Sequence, residues 1–313
     1  MNRIWTTVMA GAAATAALAQ SGVLYAPVRS IEDQGIVLRT WGSGAISQTD
    51  EAAYEGVYSL RIGTRNYFQG GILHFANTPD LSTMFADKNN LLRLTFRLAD
   101  LSLTLGGGSR GPGGTNKGGD VIGGDQGLSG AGTSKGGGAG SQIKPSGLQN
   151  MRFVITTTDG KKSEAYVAIT TSTGSDRGWS NVAVPLQAIR GFDKTNKIVS
   201  SIALAGDATS VFYVGDLRVV NDSTPIRGEA NVEKLNLALG DEIELHATGF
   251  GGSSILIYNW DFDEKDGLQV EAEGQVIKHK FRKPGKFIVT VTIADQYGLK
   301  KPTTAKIEVT VNP

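Results

Sequence analysis

The feature that most constrains the fold is a period-two alternation of apolar and polar residues that recurs through most of the chain. Alternate side chains of a strand lie on the same face, so this period is typical of strands with one buried side. Beyond the N-terminal segment, no stretch keeps a helical period for long. The pattern predicts an all-β protein made of antiparallel β-sandwiches. It is clearest in LLRLTFRLADL at 91–101, MRFVITTT at 151–158, NVAVPL at 181–186, SVFYVGDLRVV at 210–220 and KFIVTVTIAD at 286–295.

Residues 1–19 have the composition of a secretory signal peptide. A basic residue, Arg3, precedes an uncharged alanine-rich run that ends in Ala17, Leu18 and Ala19, a small-x-small cleavage pattern. The alternative is a membrane anchor, which requires about 20 apolar residues, and this run is shorter. We therefore expect cleavage after Ala19, export to the periplasm, the cell surface or the medium, and no membrane insertion of the mature protein.

Charge and cysteine content limit the class of protein. The 31 basic and 30 acidic residues give a formal net charge of +1. Nucleic-acid-binding proteins usually carry a marked positive excess, so the composition predicts no nucleic-acid partner. The chain has no cysteine, so its domains must be stabilised by buried cores rather than by disulfides. A length of 313 residues is enough for two such domains.

Segment 221–230, NDSTPIRGEA, is the best candidate for a linker. It lacks apolar periodicity and contains a proline and a glycine. We predict a first domain at 30–220, preceded by a short lead-in at 20–29, and a second domain at 231–313. The second block has the length of a single seven-stranded sandwich.

Residues 106–147 interrupt the first domain with 18 of the 42 glycines of the chain. Such a segment offers almost no apolar area to offset the entropy of ordering its backbone, so we predict a flexible insertion between two strands. Gly106, Gly108 and Gly111 fit a dinucleotide-binding spacing, but that spacing has meaning only between a strand and a helix. A spacer or a surface-contact loop is the preferred interpretation.

The densest group of acids is in YNWDFDEKDG, residues 258–267. An EF-hand loop counted from Asp261 needs an oxygen ligand at position 5 and a glutamate at position 12, where Lys265 and Ala272 stand. A tight turn also offers no cleft for a pair of catalytic carboxylates. The stretch is therefore interpreted mainly as an architectural turn.

Two elements of the second domain carry a family pattern. They are Trp260, Asp261 and Phe262, followed by Phe281, Pro284, Gly285, Phe287, Val289, Val291, Asp295 and Gly298. Together they resemble the W-D-F-G-D-G turn and the aromatic-x-x-P-G corner of the PKD (polycystic kidney disease) domain, an immunoglobulin-like sandwich common in exported bacterial proteins. The resemblance covers 231–313 and departs from the family in the turn, which is longer here.

The PKD resemblance also implies a candidate calcium site, because some domains of this kind bind calcium near the turn. The candidate ligands are Asp261, Asp263, Asp266 and Asp295. The alternative is that these carboxylates accept hydrogen bonds from local backbone amides and face water. No cofactor is required on either interpretation.

Four strand-like pieces of the first domain carry a second pattern. They are Gly56, Ser59 and Leu60; Trp179, Val182, Val184, Pro185 and Leu186; Ile198 and Ile202; and Tyr213, Asp216 and Leu217. Together they resemble a galactose-binding-like jelly roll, the fold of many carbohydrate-binding modules. The resemblance spans roughly 30–220 without the insertion and implies binding to a polysaccharide or a cell-surface glycan.

A sugar-binding surface needs exposed aromatic rings that stack on a pyranose and polar neighbours that bond its hydroxyls. Aromatic residues lie in glycine-flanked, loop-like settings in RTWGSG and TRNYFQGG. The predicted ligand-binding residues are Trp41, Arg65, Asn66, Tyr67, Phe68 and Gln69. Packing in the core is the alternative for each aromatic residue, and it is the expected role of Trp179.

Many jelly rolls of this kind hold a structural calcium ion, and the resemblance implies a second candidate set of ligands. Asp50, Glu51 and Asp216 are the acids in suitable positions. Asp216 is equally well explained as a turn residue at the end of a strand.

The sequence contains no catalytic motif. The three histidines, His74, His246 and His279, are far apart and belong to no metal motif. The favoured hypothesis is an exported non-catalytic protein that binds carbohydrate or adheres to glycans, with the PKD domain as a spacer or interaction module. The alternatives are a structural cell-surface or extracellular-matrix protein that contacts other surface proteins, and a polysaccharide-acting enzyme.

Overall fold

The alternating segments form strands in the computed structural model, which describes residues 22–99, 147–169, 173–176 and 178–313. The prediction of an all-β fold is confirmed. The strands form two sandwiches that follow one another along the chain. The predicted signal peptide and, except for Gly147, the predicted glycine-rich insertion lie outside the described residues.

The first sandwich has two antiparallel sheets. Its elements are β1 (Val23–Tyr25), β2 (Ile36–Trp41), β3 (Ala45–Thr49), β4 (Ser59–Thr64), β5 (Gly70–Phe75), α1 (Ser82–Phe85), β6 (Asn90–Leu98), β7 (Asn150–Thr157), β8 (Lys162–Ala168), β9 (Thr173–Asp176), β10 (Trp179–Pro185), two 3-10 helices (Leu186–Ala188 and Phe192–Lys194), β11 (Val199–Gly206) and β12 (Ser210–Asn221). The larger sheet has the order β3-β4-β12-β6-β10-β9, and β1 also pairs with β12. The smaller sheet has the order β2-β5-β11-β7-β8.

The core of the first sandwich lies between these two sheets. Leu60 and Ile62 of β4 contribute from the larger sheet, and Phe153 of β7 and Ile202 of β11 contribute from the smaller one; all four are buried. Since side chains alternate along a strand, the neighbouring residues of β7 and β11 point away from the core. They form the outer face of the five-stranded sheet.

The second sandwich also has two sheets. Its elements are β13 (Arg227–Ala230), β14 (Lys234–Ala238), β15 (Glu242–Phe250), β16 (Leu256–Asp261), a 3-10 helix (Glu264–Asp266), β17 (Ala272–Glu273), β18 (Val276–Lys280), β19 (Gly285–Asp295) and β20 (Thr303–Asn312). One sheet has the order β13-β15-β18 and the other the order β14-β20-β19-β16-β17. The pairing of β14 with β20 is parallel, and the others are antiparallel.

Trp260 is the largest buried side chain of the second core. It packs with Val289, Val291 and Ile293, which alternate along β19, and all four are fully buried. Its indole Nε1 donates to the carbonyl oxygen of Gly274 at 2.8 Å. A buried indole needs such a partner because an unpaired N–H is costly away from water.

The junction between the sandwiches is buried rather than extended. Within the predicted linker 221–230, Arg227–Ala230 form β13. Before this strand, Asp222 Oδ2 lies 3.0 Å from Lys300 Nζ, and the two side chains are only 7% and 6% exposed. Ile255 of the second sandwich belongs to the hydrophobic core of the first.

Candidate ligand-binding site

One row of residues crosses all five strands of the smaller sheet on its outer face. Trp41 pairs with Gly70, Gly70 with Ala205, Ala205 with Arg152, and Arg152 with Tyr166. Residues paired in this way share a face of the sheet. The small residues in the middle leave space above the sheet, so the long side chains on either side can meet there.

Arg152 fills this space and brings the aromatic residues together. Its guanidinium carbon lies 4.8 Å from the centre of the Phe68 ring, 5.5 Å from that of Trp41 and 5.6 Å from that of Tyr166. A cation within about 6 Å of a ring face is attracted by the ring quadrupole. Tyr67 joins the group through an edge-to-face contact with Tyr166, at 5.2 Å between ring centres.

Hydrogen bonds hold the guanidinium in place. Arg152 Nη2 and Nε donate to Glu164 Oε2 at 2.6 and 3.2 Å, and Nη1 donates to the carbonyl oxygen of Tyr67 at 3.1 Å. The Arg152 side chain is only 12% exposed. We call the six residues Trp41, Tyr67, Phe68, Arg152, Glu164 and Tyr166 the Arg152 cluster.

The rings of the Arg152 cluster are more accessible than the arginine at its centre. Phe68 is 62% exposed and Tyr166 is 50% exposed, whereas Trp41 and Tyr67 are half-buried. Partial burial, with smaller contributions from Asp207 and Tyr166, raises the pKa of the Tyr67 hydroxyl, so it stays protonated and can donate a hydrogen bond. The cluster therefore combines exposed ring faces with fixed polar groups.

The predicted polar residues of this region have structural contacts of their own. Asn66 Oδ1 accepts from the backbone N–H of Phe68 at 2.9 Å, and Gln69 Oε1 accepts from the Ser43 hydroxyl at 2.8 Å. Both therefore shape the β4–β5 turn that presents Phe68. Arg65 is exposed beside them.

Three members of the Arg152 cluster were missed by the sequence analysis. Arg152, Glu164 and Tyr166 lie at outward positions of the alternating strands β7 and β8. The alternating pattern could have indicated them, because these large side chains lie at its outward-facing positions. Their nearness to Trp41 was not visible, since the order of strands in the sheet brings them together.

The acids of the 258–267 turn are bound mainly to backbone amides. Asp261 Oδ1 and Oδ2 accept from the N–H groups of Asp263 and Gln269 at 3.0 and 2.6 Å. Asp263 Oδ1 caps the following 3-10 helix by accepting from Lys265 N–H at 3.2 Å, and Asp266 is exposed. These contacts support the architectural interpretation of the turn.

The other predicted calcium ligands have different partners. Asp295 is buried, and its Oδ2 accepts from the N–H of Leu299 at 2.7 Å. Asp216 is buried beside two arginines, with Oδ2 at 2.6 Å from Arg218 Nε and 3.5 Å from Arg93 Nη2. Two guanidinium groups beside one carboxylate disfavour the binding of a metal cation there.

Glu51 and Asp50 complete the second predicted set. Glu51 Oε2 accepts from the Tyr213 hydroxyl at 2.9 Å and lies 3.6 Å from Arg61 Nε, while Asp50 is exposed. Within the described ranges, no group of three or more histidine, cysteine, aspartate or glutamate side chains is arranged to hold a metal ion.

Trp179 and His74, also singled out from the sequence, differ in burial. Trp179 is buried against Tyr54, with 5.7 Å between ring centres. His74 lies half-buried on the outer face of the five-stranded sheet, paired with Val37 and Ser201.

Fold and site together define an all-β protein of two sandwiches in series, the first with an exposed aromatic surface. Residues 229–311 match the family model of the PKD domain, so the second sandwich is a PKD domain as expected. No curated protein sequence matches the chain. Among the described residues, no helix is long and apolar enough to cross a membrane.

Solved structures resemble the chain only distantly. The N-terminal four Ig domains of Dscam1 isoform 8.4 are 12% identical over 52% of this chain and 37% of the Dscam1 chain, with a TM-score of 0.26. The fibronectin(III)-like modules of Clostridium thermocellum CbhA are 14% identical over 52% of this chain and 79% of theirs, with a TM-score of 0.23. This chain thus aligns with little more than a third of the Dscam1 structure, and we draw nothing about function from likenesses this weak.

Proposed function

We propose that this is an exported, non-catalytic protein that binds carbohydrate through the Arg152 cluster. The observation that carries the proposal is the exposure of the Phe68 and Tyr166 rings around an arginine side chain that is itself only 12% exposed. A group of exposed rings is informative because contiguous apolar surface marks interaction sites, and a ring stacks on a pyranose with little loss of conformational freedom.

The architecture supports the same proposal. We assign the first sandwich to the jelly-roll type of carbohydrate-binding module on the strand motifs of its sequence, with the five-stranded sheet presenting the ligand. The PKD domain then serves as a spacer or as a second contact surface. Its junction with the first sandwich, where Asp222 and Lys300 form a buried ion pair, suits a rigid spacer.

The test is a binding screen of the mature protein, residues 20–313, against immobilised neutral and charged polysaccharides. The variant Phe68→Ala/Tyr166→Ala should lose binding, because the two most exposed rings of the cluster are gone. Phe250→Ala is the matched control, since Phe250 is 63% exposed in the second sandwich. Unchanged melting temperatures show that both variants fold. If wild type binds and the double variant binds equally well, the Arg152 cluster is not the sugar site.

An exposed apolar pair favours a second candidate, a structural protein that assembles with other surface proteins. Leu268 and Val270 are 68% and 58% exposed just before β17, a two-residue strand at the edge of its sheet. An edge strand beside apolar side chains is a site for pairing with another chain. Sedimentation of wild type and Leu268→Ser/Val270→Ser tests this: the variant should lose any self-association, and a monomeric wild type would argue against homotypic assembly.

A further inference from the structure

The outer face of the five-stranded sheet carries two more rows beside the aromatic one. In the first, Arg39, Ile72, Ala203, Val154 and Glu164 are paired in sequence across the strands. Rows two residues apart along a strand are separated by about 7 Å. These rows extend the surface from the Arg152 cluster toward the other end of the sheet.

The second row ends in another cation. It consists of Val37, His74, Ser201, Thr156 and Lys162, paired in the same way. Ser201 is only 8% exposed, as is Val154 of the row before it, so the middle of the face lies below its edges. Only the central strand β11 carries small side chains in these rows, Ala203 and Ser201, so a chain laid across the strands would meet longer side chains on both sides of it.

The charges on this face are mainly positive. Arg39 and Lys162 are exposed, on β2 and β8 respectively, and within the described residues neither has an acidic partner within 4 Å. Glu164 is the single acid of the three rows, and it is already bonded to Arg152. Arg190, 86% exposed, adds a fourth cation 3.9 Å from Glu164.

This local excess is not a consequence of overall composition. The chain as a whole carries a formal charge of only +1. The two edge strands lie four strand spacings apart, about 19 Å, so Arg39 and Lys162 can contact separate units of one extended polymer. Unpaired cations at both edges of a shallow face favour a polyanion that crosses it.

We propose that the ligand of this face is an acidic polysaccharide, a chain of uronic acid units whose carboxylates contact Arg39 and Lys162 while sugar rings stack on the Arg152 cluster. The inference rests on the proposed function and adds the substrate class. A carboxylate matches the planar guanidinium of Arg39 with two parallel hydrogen bonds. The aromatic row and the low centre of this sheet face suit pyranose rings, which favours a glycan over a nucleic acid.

The experiment compares polygalacturonate with its fully methyl-esterified form, which has the same backbone without the charge. Binding to the mature protein is measured by isothermal titration calorimetry at low and at moderate salt. The variant Arg39→Gln/Lys162→Gln removes the two edge cations. Arg282→Gln/Lys283→Gln is the matched control, because it removes one exposed arginine and one exposed lysine from the second sandwich.

We expect wild type and the Arg282/Lys283 control to bind polygalacturonate at least tenfold more tightly than the ester, with affinity falling as salt rises. The Arg39/Lys162 variant should bind polygalacturonate about tenfold or more weakly than wild type, since two charge-assisted contacts are lost. Equal binding of acid and ester, or no effect of the Arg39/Lys162 change, would overturn the inference. Single-stranded DNA and dextran sulfate serve as competitors, and competition as effective as that of free polygalacturonate would also overturn it.

The failure of this inference is distinguishable from failure of the proposed function. If neutral glycans bind and Phe68→Ala/Tyr166→Ala abolishes that binding, the sugar site stands and the acidic ligand class is wrong. If no glycan of any charge binds, both are wrong.

Discussion

Arg152 is the residue on which the candidate site is built. Its guanidinium contacts three rings and makes three hydrogen bonds, two to Glu164 and one to the carbonyl oxygen of Tyr67. Lysine keeps the charge but not the planar fork. We expect Arg152→Lys to lower the free energy of unfolding by about 1–3 kcal/mol, measured by urea denaturation, because Glu164 Oε2 no longer accepts from both Nε and Nη2.

The control for this change is Arg39→Lys. Arg39 is exposed on the same face, so its replacement should alter stability by no more than about 0.5 kcal/mol. Equal stability of Arg152→Lys and wild type would mean that the hydrogen bonds from the guanidinium to Glu164 do not hold the cluster together.

His279 gives the second sandwich a dependence on pH. Its imidazole stacks on Phe262, with 3.5 Å between ring centres, and meets Phe281 edge-on at 4.6 Å. Burial lowers the pKa of His279, and the nearby Glu271 only partly opposes this. A histidine in an unfolded chain has a pKa of about 6.5, so below that pH the unfolded state binds the proton more readily than the folded one.

The stabilising effect of neutral His279 is therefore complete above pH 6.5 and is lost as the pH falls. We expect the melting temperature of the mature protein to decrease between pH 7.5 and pH 5.5, and to decrease less in His279→Gln. Thermal denaturation at a series of pH values checks this. The same decrease in both proteins would assign the effect to other groups.

The turn at 258–267 shows how one element uses its acids. Both carboxylate oxygens of buried Asp261 accept hydrogen bonds from backbone N–H groups. Such hydrogen bonds are strong because a carboxylate is a charged acceptor. We expect Asp261→Asn to cost about 1–3 kcal/mol, since the amide N–H₂ would face a backbone donor. Asp266→Asn, at an exposed position of the same turn, should change stability by less than about 0.5 kcal/mol.

Calcium offers a second check on this element. A ligand that binds only the folded state raises the melting temperature. Because the oxygens of Asp261 are occupied by N–H groups, we expect millimolar calcium to leave the melting temperature of the mature protein unchanged, and chelation to have no effect. A calcium-dependent increase that disappears in Asp261→Asn would restore the calcium hypothesis for the turn.

At the scale of the whole molecule, the buried ion pair between Asp222 and Lys300 couples the two sandwiches. Asp222 follows β12, and Lys300 lies between β19 and β20 and also donates to the carbonyl oxygen of Gly251 at 2.7 Å. Removal of Lys300 leaves the buried carboxylate of Asp222 without its cationic partner, with the N–H groups of Thr224 and Ser253 as its donors. We expect Lys300→Ala to cost about 3–5 kcal/mol and to divide a single calorimetric unfolding transition into two.

Lys234→Ala is the matched control for this prediction. Lys234 and Glu308 form an ion pair at 3.0 Å, but their side chains are 73% and 61% exposed, and such pairs contribute little. If wild type already unfolds in two separate transitions, the sandwiches are not coupled through the Asp222–Lys300 pair.

The sequence by itself determined the fold class and the nature of the second sandwich. Alternation over two residues is a local property, readable wherever one face of a strand is buried, and the strand β19 follows it through Val289, Val291 and Ile293. The PKD turn was equally readable because Trp260 and its neighbours are close in sequence. Aromatic residues on glycine-flanked loops pointed to Trp41 and Phe68 for the same reason.

Only the tertiary structure decided which of these residues meet. Trp41, Arg152 and Tyr166 come from three different strands, and the order β2-β5-β11-β7-β8 brings them to one row, where Phe68 of the β4–β5 turn meets Arg152. The row depends on the pairing of β5 with β11, which joins Gly70 to Ala205 far along the chain, and no local pattern encodes such a pairing. The burial of Asp222 against Lys300 is decided in the same way, since a linker-like sequence does not reveal which surface will cover it.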